Sequence, residues 1–178
     1  MLSITNNLLE GQNLQNVLNI CNNFDNEEME TPNIGMVEKK GGTNFYRRVF
    51  VKHELLNEYY KNLEKFLLEN IDTKKFDIVN LSKPNTWINQ VLVDSNKNDS
   101  FHHDISYLTA ITYLNEDFLG GEFEYIKDEK EYRINPKFNQ TLIMDETLMH
   151  RVRNVEQGIR YSLITFYQFI AKEKKTLL

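Results

Sequence analysis

Cysteine occurs once in these 178 residues, at position 21, and proline only three times. A lone thiol can neither close an intramolecular disulfide nor build a thiolate metal cluster. Cys21 lies among Val17, Leu18, Ile20 and Phe24 and reads as a buried helical residue rather than a nucleophile. No run approaches the roughly 18 apolar residues of a membrane span. The opening MLSITNNLLEGQNLQN lacks both the basic segment and the apolar stretch of a secretory signal. A cytoplasmic location is therefore expected, with no membrane partner. Positive charge is in deficit, with a net charge of −5 and a pI of about 5.4. That balance disfavours nucleic acid as a partner.

What is present is ordinary globular composition, 40% hydrophobic and 26% charged. The length suits a single domain, 1–178, with a full-sized core. Leu14, Val17, Leu18 and Cys21 space a short amphipathic helix within 12–24. Residues 25–44 carry an acidic run, Pro32 and three glycines. They read as a solvated loop, ahead of a substrate lid, with a short strand near Met36-Val37. Over 53–71, Leu56, Tyr59, Tyr60, Leu63, Phe66, Leu67 and Ile71 fall on one helical face. His53, near its start, is isolated and reads as a surface or capping residue.

From about residue 75 the period changes to two. Strands are expected near 87–93, 108–114, 122–126, 131–134, 141–144 and 161–169, separated by turns such as Lys127–Lys130. The fold class is α+β, mainly β: a jelly-roll core over about 75–170, with helical support over about 1–74. Another α+β sandwich is the runner-up.

One stretch organises the rest, Phe101-His102-His103-Asp104. In an extended strand His102 and Asp104 point to the same face, roughly 6–7 Å apart at Cα. His150 arrives later, after enough chain for a sheet to fold back. Two imidazoles and one carboxylate, leaving coordination positions open, form the facial triad of non-haem Fe(II) oxygenases. Arg160 follows ten residues on, and Asn154–Gly158 reads as a tight turn. His150 and Arg160 are therefore expected to face each other across an antiparallel hairpin, with the guanidinium suited to a bidentate carboxylate. Each piece alone is weak, since a lone histidine is more often structural. Their order and spacing together favour a metal site. His103 should face solvent.

Residues 101–169 resemble the 2-oxoglutarate- and Fe(II)-dependent dioxygenase superfamily, and most of all its prolyl 4-hydroxylase-like branch. The motifs are His102-x-Asp104, Tyr113-Leu114-Asn115, Gly120-Gly121-Glu122, Asn135-Pro136-Lys137, His150-Arg151-Val152 and Gly158-x-Arg160-Tyr161-Ser162. The resemblance implies a double-stranded β-helix with Fe(II) on His102, Asp104 and His150. It implies 2-oxoglutarate and O2 as co-substrates, with ascorbate a candidate further reductant. Arg160 would hold the distal carboxylate of 2-oxoglutarate, with a hydrogen bond from Tyr113 and a contact from Ser162. Leu92 stands where many relatives carry tyrosine; Gln90 shares its strand face, and neither is assigned a role. Asn139 replaces a common glycine, and asparagine also tolerates a left-handed backbone.

The implied activity is hydroxylation of a C–H bond, with release of succinate and CO2. A prolyl or other peptidyl side chain is the first substrate candidate, and a free amino acid or small metabolite the alternative. Asp104 argues against a halogenase, and Phe166, where nucleic-acid demethylases place a second arginine, argues against that branch. A catalytically silent cupin-like metal-binding protein and a purely structural jelly roll are the other classes. The intact set of four groups counts against both.

Overall fold

Strand β5 (Leu108–Tyr113) sends Thr109, Ile111 and Tyr113 to one side and Leu108, Ala110 and Thr112 to the other, and both sides are buried. The computed structural model describes residues 1–24, 34–39, 46–72, 84–93 and 100–168. Before β5 come β1 (Leu2–Asn6), α1 (Gly11–Asn22), β2 (Ile34–Lys39), β3 (Tyr46–Val51), a 3-10 turn (His53–Leu56), α2 (Asn57–Asn70) and β4 (Asn85–Leu92). After it come β6 (Leu119–Gly120), β7 (Phe123–Lys127), β8 (Lys130–Ile134), β9 (Gln140–Asp145), β10 (His150–Val152), β11 (Val155–Gln157) and β12 (Ile159–Tyr167).

The fold is mainly β, with a jelly-roll core. A seven-stranded sheet runs β1-β9-β5-β12-β4-β3-β2, and β10-β7-β8 and β11-β6 form two smaller sheets. The described pairings are antiparallel.

The stretch read as helical support also supplies three strands to the main sheet. Tyr46-Arg47-Arg48-Val49-Phe50-Val51 is rich in the β-branched and aromatic residues that favour strands. β1 covers the outer edge of β9, from Leu2 opposite Met144 to Asn6 opposite Gln140. The strand expected at Met36-Val37 lies within β2. The acidic run and Gly41-Gly42, residues 94–99 and residues 169–178 lie outside the described residues.

α2 packs on the back of the main sheet through Tyr59, Tyr60, Leu63 and Leu67. That face is not purely apolar. Tyr59 Oη lies 3.3 Å from both Thr112 Oγ1 and Thr165 Oγ1, and Tyr60 Oη donates to Thr86 Oγ1 at 2.8 Å. These buried hydroxyls satisfy one another, so they avoid the cost of unpaired polar burial and fix α2 on the sheet. α1 docks beside α2, where Asn13 Oδ1 accepts from the Tyr59 amide at 2.9 Å. Cys21 is buried here, and burial pushes its thiol up to about 12, as expected of a core residue. Among the described residues, no helix is long and apolar enough to cross a membrane.

The opposite face of the main sheet meets the smaller sheets around Ile111, Tyr113, Phe123, Leu142, Met144 and Leu148. A cavity opens beside this second core.

Candidate metal centre

A short backbone bridge brings the two histidines together. The His102 amide donates to the His150 carbonyl at 2.8 Å, and the His150 amide donates back at 2.9 Å. His102 Nδ1 lies 3.1 Å from the Ser100 carbonyl, and His150 Nδ1 lies 3.0 Å from the Leu148 carbonyl. A carbonyl only accepts, so each Nδ1 carries a proton, the tautomer that in a neutral ring leaves Nε2 as the ligand atom. The Phe123 ring stacks on His150 at 5.4 Å between centroids and 18° between planes.

One ligand atom each from His102, Asp104 and His150 lies within 4.8 Å of the others. Asp104 Oδ2 is 3.8 Å from His150 Nε2. Ligands about 2.1 Å from a divalent ion and at right angles lie about 3 Å apart, so the three groups must draw closer to share one ion. Burial holds the His150 imidazole below its ordinary pKa, against the Leu148 carbonyl and the Asp104 charge, while the neighbouring His102 and His103 lower it further. A neutral imidazole is the form a metal requires. The donor set of two nitrogens and one carboxylate fits Fe(II) with positions left open.

The expected hairpin between His150 and Arg160 does not form. β10 pairs with β7, whereas β12 enters the main sheet between β4 and β5. The intervening Val155–Gln157 pairs with β6 instead of turning back on β10. His150 and Arg160 therefore look into one cavity of about 150 Å3 from different sheets.

Among the residues lining that cavity, Arg160 is 3% exposed, and its Nη1 donates to the Gly121 carbonyl at 3.2 Å. Its Nε and the Tyr113 hydroxyl are buried without hydrogen-bond partners. Among the described residues Arg160 has no acidic partner. Burial pulls its guanidinium below the usual value, with Tyr113 opposing. Burial raises the Tyr113 phenol to about 12, the Arg160 charge opposing, so the hydroxyl stays a donor. A buried cation beside an orphaned hydroxyl is the donor set that a ligand carboxylate satisfies. Ser162, also buried, faces this cavity between its register partners Tyr113 and Asn89.

Asn89 was not singled out in the sequence, yet it lines the cavity with its Oδ1 buried and unpartnered. Leu92 and Gln90 do not line it; Gln90 turns to the back face, where its Nε2 donates to Tyr161 Oη at 3.0 Å. The available signal was a polar residue in the alternation of Trp87, Asn89 and Val91. Thr109, whose hydroxyl reaches Asp104, carried no signal beyond its register. His103 is exposed, and His53 stacks on Tyr60 at 4.3 Å, outside the cluster.

Fold and site together define a jelly roll with a His-x-Asp…His cluster beside a buried arginine. Residues 91–168 match the family model described as the 2OG-Fe(II) oxygenase superfamily. No curated protein matches in sequence. A prolyl-4-hydroxylase from Pseudomonas putida is similar in structure, with a TM-score of 0.70, 14% identity and coverage of 96% of this chain and 93% of that one. A prolyl hydroxylase from Trichoplax adhaerens, in complex with a hypoxia inducible factor oxygen degradation domain peptide, gives 0.63 at 15% identity, covering 94% and 83%. Dioxygenase for auxin oxidation 1 from Arabidopsis thaliana, in a binary complex with 2-oxoglutarate, gives 0.64 at 15% identity, covering 96% and 84%. The family match over residues 91–168 agrees with the superfamily that the motifs resemble, and these structural neighbours share its fold.

Proposed function

We propose that this chain is an Fe(II)- and 2-oxoglutarate-dependent dioxygenase that hydroxylates a C–H bond of a prolyl or other peptidyl side chain, releasing succinate and CO2. The observation that carries this reading is a single cavity lined both by the His102–Asp104–His150 cluster and by Arg160 and Tyr113, which bear orphaned polar atoms. Bound Fe(II) supplies the coupling of O2 reduction to oxidative decarboxylation of the 2-oxoacid. His102 and His150 would offer their Nε2 atoms, and Asp104 its carboxylate. Arg160 and Tyr113 orient the co-substrate by its distal carboxylate, and Ser162 borders the same space. Ile111, Val152 and Ile164 line the cavity with apolar surface that excludes water. The whole chain, 1–178, acts as one catalytic domain.

A peptidyl substrate is supported by the likeness to two prolyl hydroxylases, one of them bound to a peptide. The free amino acid or small metabolite is the second reading, favoured by the likeness to the auxin-oxidising dioxygenase. The test incubates the protein with Fe(II), 2-oxoglutarate and ascorbate, separately with proline-rich peptides and with free proline. Mass spectrometry then looks for the gain of one oxygen atom. Hydroxylated peptide is the expected result. Hydroxylation of free proline alone would overturn the peptidyl assignment, and co-substrate binding without any turnover would favour the silent cupin-like reading.

A further inference from the structure

Asp104 is the only anionic member of the metal cluster, and its carboxylate is tied to a strand that contributes no ligand. Thr109 Oγ1, at the start of β5, donates to Asp104 Oδ2 at 2.7 Å. Ser106 Oγ lies 2.5 Å from Thr109 Oγ1. Hydrogen counting fixes the direction of this chain. An ionised carboxylate only accepts, and threonine has a single hydroxyl proton, so Thr109 has none left for Ser106. Ser106 must therefore donate, and the relay runs Ser106 to Thr109 to Asp104.

Burial gives the relay its leverage. Thr109 is 2% exposed and Ser106 3%, whereas Ile105 between the ligand and the relay is 95% exposed. The three residues joining Asp104 to β5 thus turn Ile105 outward and Ser106 inward. Water has little access to replace a lost hydroxyl, and a carboxylate deprived of its donor is free to rotate. Asp104 Oδ2, the atom that Thr109 holds, is the one that stands 3.8 Å from His150 Nε2.

We propose that Thr109 and Ser106 are positioning residues for the metal-ligating carboxylate. They preset the Asp104 rotamer that closes the cluster on His150. The proposal rests on the reading of His102, Asp104 and His150 as a metal site. Thr109→Val keeps the volume and strand preference of threonine while removing the donor, and Thr109→Ser restores it.

The test titrates wild-type protein and variants with Co(II) by calorimetry, without co-substrate, alongside thermal melting. Loss of a partner that orients a metal ligand typically costs about 10–100-fold in metal affinity, and that loss is expected for Thr109→Val. Thr109→Ser should stay within about threefold of wild type, and Ser106→Ala should show a smaller loss than Thr109→Val. A folded Thr109→Val that binds Co(II) as tightly as wild type overturns the proposal. If that variant fails to fold, Ser106→Ala decides: a several-fold loss supports the relay, and unchanged affinity overturns it. His150→Ala serves as the control. Binding that is equal in wild type and His150→Ala removes the metal centre itself, and the relay with it.

Discussion

The side chain of Asn115 brackets Arg160. Its Nδ2 donates to the Ile159 carbonyl at 2.6 Å, and its Oδ1 accepts from the Tyr161 amide at 2.8 Å. One carboxamide thus holds the backbone on both sides of the arginine. The Leu114 amide reinforces it, donating to the Tyr161 carbonyl at 3.0 Å. Asn115→Ala should therefore weaken 2-oxoglutarate binding without touching the metal ligands. Two lost hydrogen bonds, each worth about 1 kcal/mol, set the scale at about tenfold or more. Calorimetry with 2-oxoglutarate and with Co(II) checks this; unchanged 2-oxoglutarate affinity would show that the bracket does not orient Arg160.

Gly121 supports the same guanidinium from the other side. It adopts φ +67°, and an added Cβ would lie 3.3 Å from Arg160 Cδ and 3.4 Å from Nη1. Gly121→Ala should destabilise the fold by about 1 kcal/mol or more through backbone strain. It should also lower 2-oxoglutarate affinity, because Arg160 must give way together with Phe118, whose Cε2 would lie nearest the added Cβ at 3.1 Å. Thermal melting and calorimetry separate the two effects.

Removing the guanidinium itself should be more severe. Arg160→Ala is expected to weaken 2-oxoglutarate binding by a few kcal/mol, on the order of a hundredfold, with Co(II) affinity retained. Tyr113→Phe deletes one hydroxyl and should cost about tenfold or less. Equal 2-oxoglutarate affinity in Arg160→Ala and wild type would refute the carboxylate role.

Much of this site was legible because its chemistry is carried by residue type. His102, Asp104, His150 and Arg160 stand out in any reading of the chain, and Asn139 takes the left-handed backbone, at φ 55°, that its replacement of a glycine anticipated. What was not legible depended on register and on pairing at a distance. A shift of one residue in a strand exchanges its two faces. That parity separates Asn89, on the cavity, from Gln90 and Leu92. The ten residues between His150 and Arg160 fit a hairpin locally, yet β6 captures Val155–Gln157 and sends the two residues into different sheets. The helical support likewise hid β1, whose pairing with β9 joins residues more than 130 positions apart.

The outer face of the smaller sheet carries a pH-sensitive element. Glu124 is buried and receives bonds from Arg133 Nε at 2.8 Å and Arg151 Nε at 2.7 Å. Burial raises its pKa, but the two guanidinium groups outweigh that and hold the carboxyl below its ordinary value of 4.5. A depressed folded value means that the stabilisation is full above the unfolded pKa and is lost as pH falls through the folded one. Wild-type stability should therefore drop as pH falls below about 4.5. Glu124→Gln should be less stable at neutral pH and show a shallower acid decline. Urea unfolding across a pH series reads both, and an acid limb unchanged by the substitution would contradict this role.

One cavity is expected to bind iron and a 2-oxoacid together. The most direct test is an anaerobic titration of the purified protein with Fe(II) and then 2-oxoglutarate, followed by visible absorption. A metal-to-ligand charge-transfer band should develop only when both are present. It should be lost in His150→Ala and require far more 2-oxoglutarate in Arg160→Ala. Absence of the band from wild-type protein at saturating Fe(II) and 2-oxoglutarate would contradict the claim.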